Sequence, residues 1–247
     1  MKTQYTNFKL LIAIFFLVLL SSCGNYVYKP TTIKPALFSG KGDFELSLNT
    51  FTLGELHGAV ALTDNIAVSY TSAWGFNNSD TTLKYDSARN VISQNIDKTK
   101  GKDKEFSIGY YKYLDDGNCF EVFAGMGYYK RNRSIDFTDY KVSSKSFEST
   151  VIDNRYRRIF IQPAYGRTGK FFDFSFANRF SFVTYEKDMH SDFISESMFT
   201  FRYGYKNVKL MSQIGFTMSN LNSPYDYMHF TFGVGLYLIF NKSFKLN

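Results

Sequence analysis

Apolar residues occupy every second position over most of the chain from Gly42 onward. This period of two predicts β-strands with one apolar face, because successive side chains of a strand point to opposite faces. Ten segments show the pattern, and most are about 9 to 12 residues long, the length that a tilted strand needs to cross a bilayer. Their apolar positions fall within 44–48, 56–62, 66–74, 106–110, 120–128, 159–165, 172–182, 199–203, 208–218 and 230–240.

The connections between these segments alternate in length. Tight turns are predicted at 63–65, 115–118, 169–170 and 206–207, and long polar loops at about 76–103, 132–154, 186–196 and 219–228. Short turns at one end and long loops at the other are typical of outer-membrane barrels. The sequence therefore predicts an all-β fold, an antiparallel up-and-down transmembrane barrel of about ten strands. An even strand number places both chain ends on the short-turn, periplasmic side.

Alternation alone does not decide which face is inside, since a lipocalin-like soluble barrel has its apolar face inward. The face opposite the apolar one is rich in small and charged residues, including Gly125 and Gly127, which favours a polar lumen and a lipid-facing exterior. Residues 231–238 also resemble the last-strand signal of the barrel-assembly machinery. Aromatic residues cluster near both strand ends, as in interfacial girdles, at Trp74, Tyr128, Tyr129 and Tyr185 and at Tyr113, Tyr203 and Tyr205.

The first residues form an export signal. Lys2 and Lys9 precede an apolar run over 10–20, which is too short for a transmembrane helix. The ending Leu20-Ser21-Ser22-Cys23 resembles the lipobox of bacterial lipoproteins, which implies cleavage before Cys23 and acylation of its thiol with diacylglycerol. The alternative is an ordinary secreted protein with a chance cysteine. The predicted organisation is a signal peptide at 1–22, a lipidated tether at 23–41 and a barrel domain at 42–247.

Composition fits this organisation. Aromatics make up 19% of the residues, with 17 Gly and only 4 Pro, which suits a chain of paired strands. The chain has 29 basic side chains, of which Lys2 and Lys9 are removed with the signal peptide. The mature chain therefore has 27 basic and 22 acidic side chains. This mild excess suits contact with anionic lipid head groups and does not suggest nucleic acid. An acylated Cys23 leaves Cys119 without an intramolecular disulfide partner.

The chain resembles the small barrel-type outer-membrane lipoproteins of Bacteroidota. The resemblance spans nearly the whole mature chain and rests on Lys34-Pro35-Ala36-Leu37-Phe38, on Ala59-Val60-Ala61-Leu62-Thr63-Asp64-Asn65-Ile66, and on Phe160-Ile161-Gln162-Pro163-Ala164-Tyr165-Gly166. It implies a lipid-anchored, membrane-integral barrel in the cell outer membrane and carries no catalytic signature.

The sequence contains no metal or nucleotide motif, and we expect no cofactor. The spacing of Asp188 and His190 resembles the Asp-x-His pair of omptin proteases, which activates a water for peptide hydrolysis in a comparable loop. Asp80 or Asp86 could face that pair. The alternative is a polar loop that happens to contain a histidine.

Charged residues at lumen-facing positions are segregated along the chain. Acids lie on the first five predicted strands and bases on strands six to nine, at Glu45, Glu55, Glu105 and Glu121 and at Arg158, Arg179, Arg202 and Lys209. Opposite walls of a narrow barrel would bring them together and fill the lumen. This pattern favours a non-enzymatic envelope component that is structural or presents its long loops to a protein partner. The alternatives are a narrow channel and a loop-sited omptin-like hydrolase.

Overall fold

A computed structural model describes residues 31–49, 54–75, 78–85, 91–139, 146–186, 190–205, 207–219 and 228–240. Within these ranges no helix is long and apolar enough to cross a membrane. The described residues form eleven strands: β1 (Phe44–Asn49), β2 (Gly54–Ala61), β3 (Ile66–Trp74), β4 (Asn78–Tyr85), β5 (Val91–Tyr113), β6 (Asn118–Asp139), β7 (Ser146–Arg167), β8 (Phe172–Tyr185), β9 (Ser191–Tyr205), β10 (Val208–Ser219) and β11 (Met228–Phe240).

Ten of these strands close into an antiparallel barrel. Each pairs with its neighbour in the chain, except that β3 pairs with β5, from Ile66↔Tyr110 to Trp74↔Lys102. The ring closes where β1 pairs with β11, beginning at Phe44↔Phe240. β4 pairs with β5 beyond the ring and is not one of its walls. The predicted ten-stranded barrel is therefore confirmed, and each ring strand contains one of the ten alternating segments.

Burial alternates along the strands with the polar face inward. On β5, Glu105 is 4% exposed and Ser107 is also buried, whereas Phe106 and Ile108 between and beside them are each 51% exposed. Every ring strand sends large apolar side chains outward in this way. The lipocalin-like alternative requires the opposite polarity and is excluded by this distribution.

The aromatic girdles are smaller than the sequence suggests. Trp74 and Tyr128 are exposed near the loop end, and Tyr113, Tyr203 and Tyr205 are exposed near the turn end. Tyr129 and Tyr185, which were predicted to belong to the girdle, are buried in the lumen instead. Adjacent residues of a strand face opposite sides, so Tyr128 and Tyr129 cannot both point outward. Tyr129 stacks on Tyr156 with ring centroids 4.5 Å apart.

The predicted tight turns at 63–65, 115–118 and 169–170 are confirmed, and Lys206 of the fourth lies outside the described residues. Between β5 and β6 a short 3-10 turn spans Asp115–Gly117, where Asp116 (φ 61°) and Gly117 (φ 81°) adopt the left-handed conformation that glycine, and less readily aspartate, accepts. Between β2 and β3 the Thr63 hydroxyl accepts hydrogen bonds from the N–H groups of Asn65 (3.2 Å) and Ile66 (2.9 Å).

Three of the predicted loops are wrong in whole or in part, because 76–103 and 132–154 contain strand and β9 already begins at Ser191 within 186–196. β4 and the loop-side parts of β5, β6 and β7 pair beyond the ring, from Asn78↔Thr99 in one hairpin to Asp139↔Ser146 in another. Lysine, aspartate, serine, threonine and asparagine fill these stretches on both alternating positions, so no apolar face marks them as strand. The barrel therefore carries a strand extension at its loop end, made of β4 and the distal parts of β5–β7.

Glycines make room for aromatic rings in the lumen. A Cβ on Gly125 would lie 2.5 Å from Cζ of Phe160 and 2.5 Å from the carbonyl oxygen of Phe106. A Cβ on Gly127 would lie 2.6 Å from the Tyr129 hydroxyl. At Gly58, by contrast, the nearest heavy atoms are 3.8 Å away.

Replacing Gly125 should therefore destabilise the barrel. We expect Gly125→Ala to lower the free energy of unfolding by about 1–3 kcal/mol, since the added methyl group must displace backbone as well as the Phe160 ring. Urea unfolding of the detergent-solubilised protein measures this. The matched control, Gly58→Ala, should leave the midpoint unchanged or raise it slightly. Equal midpoints for the two variants would contradict the close packing at Gly125.

Candidate functional site

The lumen holds a stretch of the protein's own chain. Residues 31–38, here called the lumen segment, precede β1 and are all buried inside the ring. Residues 31–41 belong to the stretch predicted as a tether, of which Cys23 and the rest up to residue 30 lie outside the described residues. The lumen segment instead forms part of the barrel interior.

The lumen segment runs along the length of the barrel. Thr31 donates to Glu105 (2.6 Å), which lies close to the Trp74↔Lys102 pair at the loop end. Leu37 donates to Glu121 (2.5 Å), which lies close to the β5–β6 turn. β1 starts and β11 ends at the turn side, as predicted. The chain that precedes β1, however, runs through the lumen from the loop-side half toward the turn side.

Two carboxylates accept hydrogen bonds from the backbone of the lumen segment. Glu55 on β2 accepts from the Thr32 N–H (3.0 Å) and pairs with the Lys34 ammonium (3.0 Å). Glu121 on β6 accepts from the N–H groups of Ala36 (3.0 Å) and Leu37. An unpaired buried amide is costly, so these carboxylates hold the segment in place.

The opposite wall supplies donors to the carbonyl groups of the same segment. Arg202 on β9 donates to the carbonyl of Pro35, and Gln213 on β10 donates to that of Ile33 (2.6 Å). Tyr237 on β11 donates its hydroxyl to the carbonyl of Ala36 (3.0 Å). The Arg202 guanidinium also lies over the Tyr237 ring, 3.8 Å from its centroid.

Near the loop end, two arginines and two glutamates surround Thr31. Arg158 pairs with Glu105 and, at 3.1 Å, with Glu196. Arg179 lies 3.6 Å from Glu105 and 3.8 Å from Glu196. Both guanidinium groups donate to the Thr31 hydroxyl, at 2.9 Å and 3.0 Å. This cluster of two arginines and two glutamates therefore surrounds the Thr31 hydroxyl in the loop-side half of the lumen.

The predicted meeting of acidic and basic walls is only partly right. Glu105 does pair with Arg158 and Arg179. The other predicted charges have different partners: Glu55, Glu121 and Arg202 bind the lumen segment, Glu45 pairs with His57 (2.8 Å), and Lys209 pairs with Asp173 (2.6 Å). Sequence reasoning missed the lumen segment. Its available signal was the run Ile33, Ala36, Leu37 and Phe38, which is too apolar for a tether in water.

At the turn end the segment covers Cys119. The Sγ atom of Cys119 lies 3.6 Å from the carbonyl oxygen of Phe38 and 3.8 Å from Oε1 of Glu121, and the residue is fully buried. Phe38 also packs edge-on against Tyr111, with ring centroids 5.5 Å apart. Access of solvent to this thiol therefore requires the end of the lumen segment to move.

A small cavity lies beside the segment. It is lined in part by Thr32, Lys34, His57, Phe123 and Gln162 and has a volume of about 10 Å³, close to the minimum for one water molecule. No group of three or more His, Cys, Asp or Glu side chains suited to a metal ion occurs in the described part of the chain.

Only one residue of the predicted hydrolase pair, His190, lies in the described part of the chain. His190 lies at the loop-end rim, and its Nε2 atom is 2.7 Å from Oδ1 of Asp192. The predicted partner Asp188 lies outside the described residues, as do Asp86 and the side chain of Asp80. The described partner of His190 is thus Asp192, which the sequence analysis did not select.

Known proteins resemble this chain in structure and not in sequence. No protein-family model matches the chain, and no curated protein matches it. Among solved structures, the chain is similar to the outer membrane protease OmpT from Escherichia coli, with 8% identity and a TM-score of 0.40. The alignment covers 81% of this chain and 91% of that one.

Docking of the lumen segment can be followed through Cys119. In a Cys23→Ser background, Cys119 is the single thiol of the chain. We expect Glu121→Ala to increase the rate at which a charged maleimide labels Cys119 by at least tenfold, because Ala36 and Leu37 lose their acceptor and the segment end loosens. Glu186→Ala is the matched control, since Glu186 pairs with the exposed Arg157 on the outside. Equal labelling rates in both variants would show that Glu121 does not hold the segment.

Proposed function

We propose that this protein is a lipid-anchored β-barrel of the outer membrane with a structural, non-enzymatic role. The observation that carries the proposal is the distribution of polarity around the whole ring, which is the reverse of that in a soluble barrel. Charged side chains such as Glu105, Arg158 and Arg202 are buried inside, and large apolar side chains cover the outside. The stable solvent for such an exterior is hydrocarbon.

The size of the apolar exterior supports the membrane. Soluble monomers rarely expose contiguous apolar patches above a few hundred Å². Here each of the ten ring strands contributes, and the outward side chains include Leu48, Leu56, Tyr70, Ile108, Met126, Ile161, Phe182, Phe199, Leu210 and Leu236. Their backbone groups are paired around the ring, which hydrocarbon also requires.

The filled lumen favours a structural role over a channel. The lumen segment and the Arg158–Glu105–Arg179–Glu196 cluster occupy the interior, and ten strands enclose only slightly more space than the eight that side chains just fill. The strand extension of β4 and the distal parts of β5–β7 is the feature that this closed barrel would present, and we propose that it contacts a protein partner.

Two proposed properties are tested together on purified protein: that the chain is a membrane barrel and that its lumen is closed. We expect the wild type to shift in gel mobility on boiling and to give little or no steady conductance in planar bilayers. Deleting residues 31–38 should preserve folding in part and produce measurable conductance, because Glu55, Glu121 and Arg202 lose their partners and the lumen loses its filling. A large steady conductance of the wild type would move the channel alternative to first place. Recovery of the Cys23→Ala protein as a soluble, non-shifting species would overturn the membrane assignment.

We also propose that Cys23 carries the lipid. Two or three acyl chains hold a protein on a bilayer stably, whereas one chain binds only marginally. Cells grown with labelled fatty acid should incorporate label into the wild type and into Cys119→Ala, the matched cysteine control. Cys23→Ala should carry none, because its thiol is the predicted acceptor. Equal labelling of Cys23→Ala and the wild type would show that the lipobox assignment is wrong.

A further inference from the structure

The lumen segment gives the chain a defined direction before β1. At its first residue, Thr31 donates to Glu105, which lies eight residues before the end of β5 at Tyr113. Near its last residue, Leu37 donates to Glu121, which lies three residues after the start of β6. A strand rises about 3.3 Å per residue, so these partners lie about 26 Å and about 10 Å along their strands from the β5–β6 turn. The segment therefore runs from the loop side to the turn side.

The first residue of the segment lies close to the loop-end rim. Lys102 and Trp74 form the last pair between β3 and β5 at that end of the ring, and Glu105 is only three residues away from Lys102. Three residues span about 10 Å along a strand, or about 8 Å along the barrel axis at a tilt of about 40°. The chain upstream of Thr31 is therefore much nearer to the loop-end rim than to the turn-end rim.

Contacts along the whole segment fix this direction. The Thr31 hydroxyl lies among charged side chains in the loop-side half. Halfway along, the Lys34 ammonium pairs with Glu55 (3.0 Å). At the turn end, the Phe38 ring packs edge-on against Tyr111. A reversed segment would place the Phe38 ring among the loop-side charges, where it cannot supply the hydrogen bonds that those buried groups need.

The segment also leaves no second passage along its own path. All eight of its residues are buried, and Ile33 and Phe38 are completely inaccessible to solvent. Side chains from β2 and from each of β5–β11 contact it. Ten strands enclose only slightly more space than the eight that side chains just fill. A return of the chain through the lumen would displace these contacts, so the chain upstream of Thr31 leaves at the loop end.

The length of chain between Cys23 and Thr31 then decides which leaflet the anchor can reach. Eight peptide units separate the two residues, and they extend over at most about 29 Å. A route over the loop-end rim to the other leaflet climbs about 8 Å and descends an apolar band about 25 Å tall, before any allowance for the thickness of the wall. It is longer than the chain, and the descent would leave unpaired backbone groups in hydrocarbon.

We propose that the chain upstream of Thr31 leaves the barrel through its loop-end mouth, and that the lipid on Cys23 is inserted in the loop-side leaflet. For an outer-membrane barrel this is the outer leaflet, since the long loops are extracellular. The proposal rests on the membrane location and on the Cys23 lipid proposed above. β1 begins on the turn side, but the mature N-terminus lies on the opposite side of the membrane. The protein is thus anchored from the cell surface.

Cysteine labelling of the full chain in whole cells tests the side of the anchor. The background is Cys119→Ala, in which Cys23 is acylated and no thiol of the natural sequence reacts. Asn25→Cys places a thiol two residues after the anchor. The matched references replace two exposed lysines, Lys84→Cys on β4 at the loop end and Lys170→Cys in the β7–β8 turn. The probe is a maleimide on a polymer too large for porins, added before or after the outer membrane is permeabilised.

We expect Asn25→Cys to be labelled in intact cells together with Lys84→Cys. Both should react at least about tenfold faster than Lys170→Cys, because the bilayer separates that turn from the probe. Permeabilisation should then expose Lys170→Cys. Failure of Asn25→Cys to react in intact cells in which Lys84→Cys reacts would overturn the proposal. Labelling of Lys170→Cys but not of Lys84→Cys in intact cells would overturn the assignment to the outer leaflet.

This outcome is separable from those for the proposed function. Gel mobility before and after boiling shows whether each variant is a folded barrel, and incorporation of labelled fatty acid shows whether it is acylated. A heat-shifting, acylated Asn25→Cys protein that reacts only when Lys170→Cys reacts would refute the loop-side anchor alone. A wild type without the mobility shift or without fatty acid would instead refute the membrane barrel or the lipid on Cys23.

Discussion

The backbone N–H and C=O groups of the lumen segment must find hydrogen-bond partners inside a closed ring, and the arrangement of much of the interior follows from this constraint. The N–H groups of the segment need acceptors and its carbonyl groups need donors, and inside the ring the wall must supply both. Glu55 and Glu121 are the acceptors, and Arg202, Gln213 and Tyr237 are the donors. Three of the eight charges that are segregated along the sequence, Glu55, Glu121 and Arg202, are thus partners of a backbone.

The exterior obeys a different constraint and was therefore predictable. A lipid-facing surface requires an apolar residue at every second position of each ring strand, and that period is visible without any knowledge of partners. All ten ring strands follow from it. The strand extension escaped prediction because its sequence shows no sustained alternation of apolar and polar residues. The lumen segment escaped because its partners, from Glu55 to Tyr237, are distant in sequence, and no local pattern reports such contacts.

Arg157 and Arg158 show how strongly the two environments differ. They are adjacent in the chain and face opposite sides of β7. Arg157 pairs with Glu186 on the outside, where such a pair contributes about 0–1 kcal/mol. Arg158 lies fully buried between Glu105 and Glu196, where removing one partner costs about 3–5 kcal/mol. The inner residue therefore acts as structural core, whereas the outer one contributes little to stability.

The covalent continuity between the lumen segment and β1 gives the barrel the topology of a ring threaded by its own chain. β1 is the shortest strand of the ring, and six residue pairs from Phe44↔Phe240 to Asn49↔Gly235 form its seam with β11. If a bulky group is attached upstream of Thr31, the segment cannot slide out of the closed ring, and emptying the lumen then requires the β1–β11 seam to part.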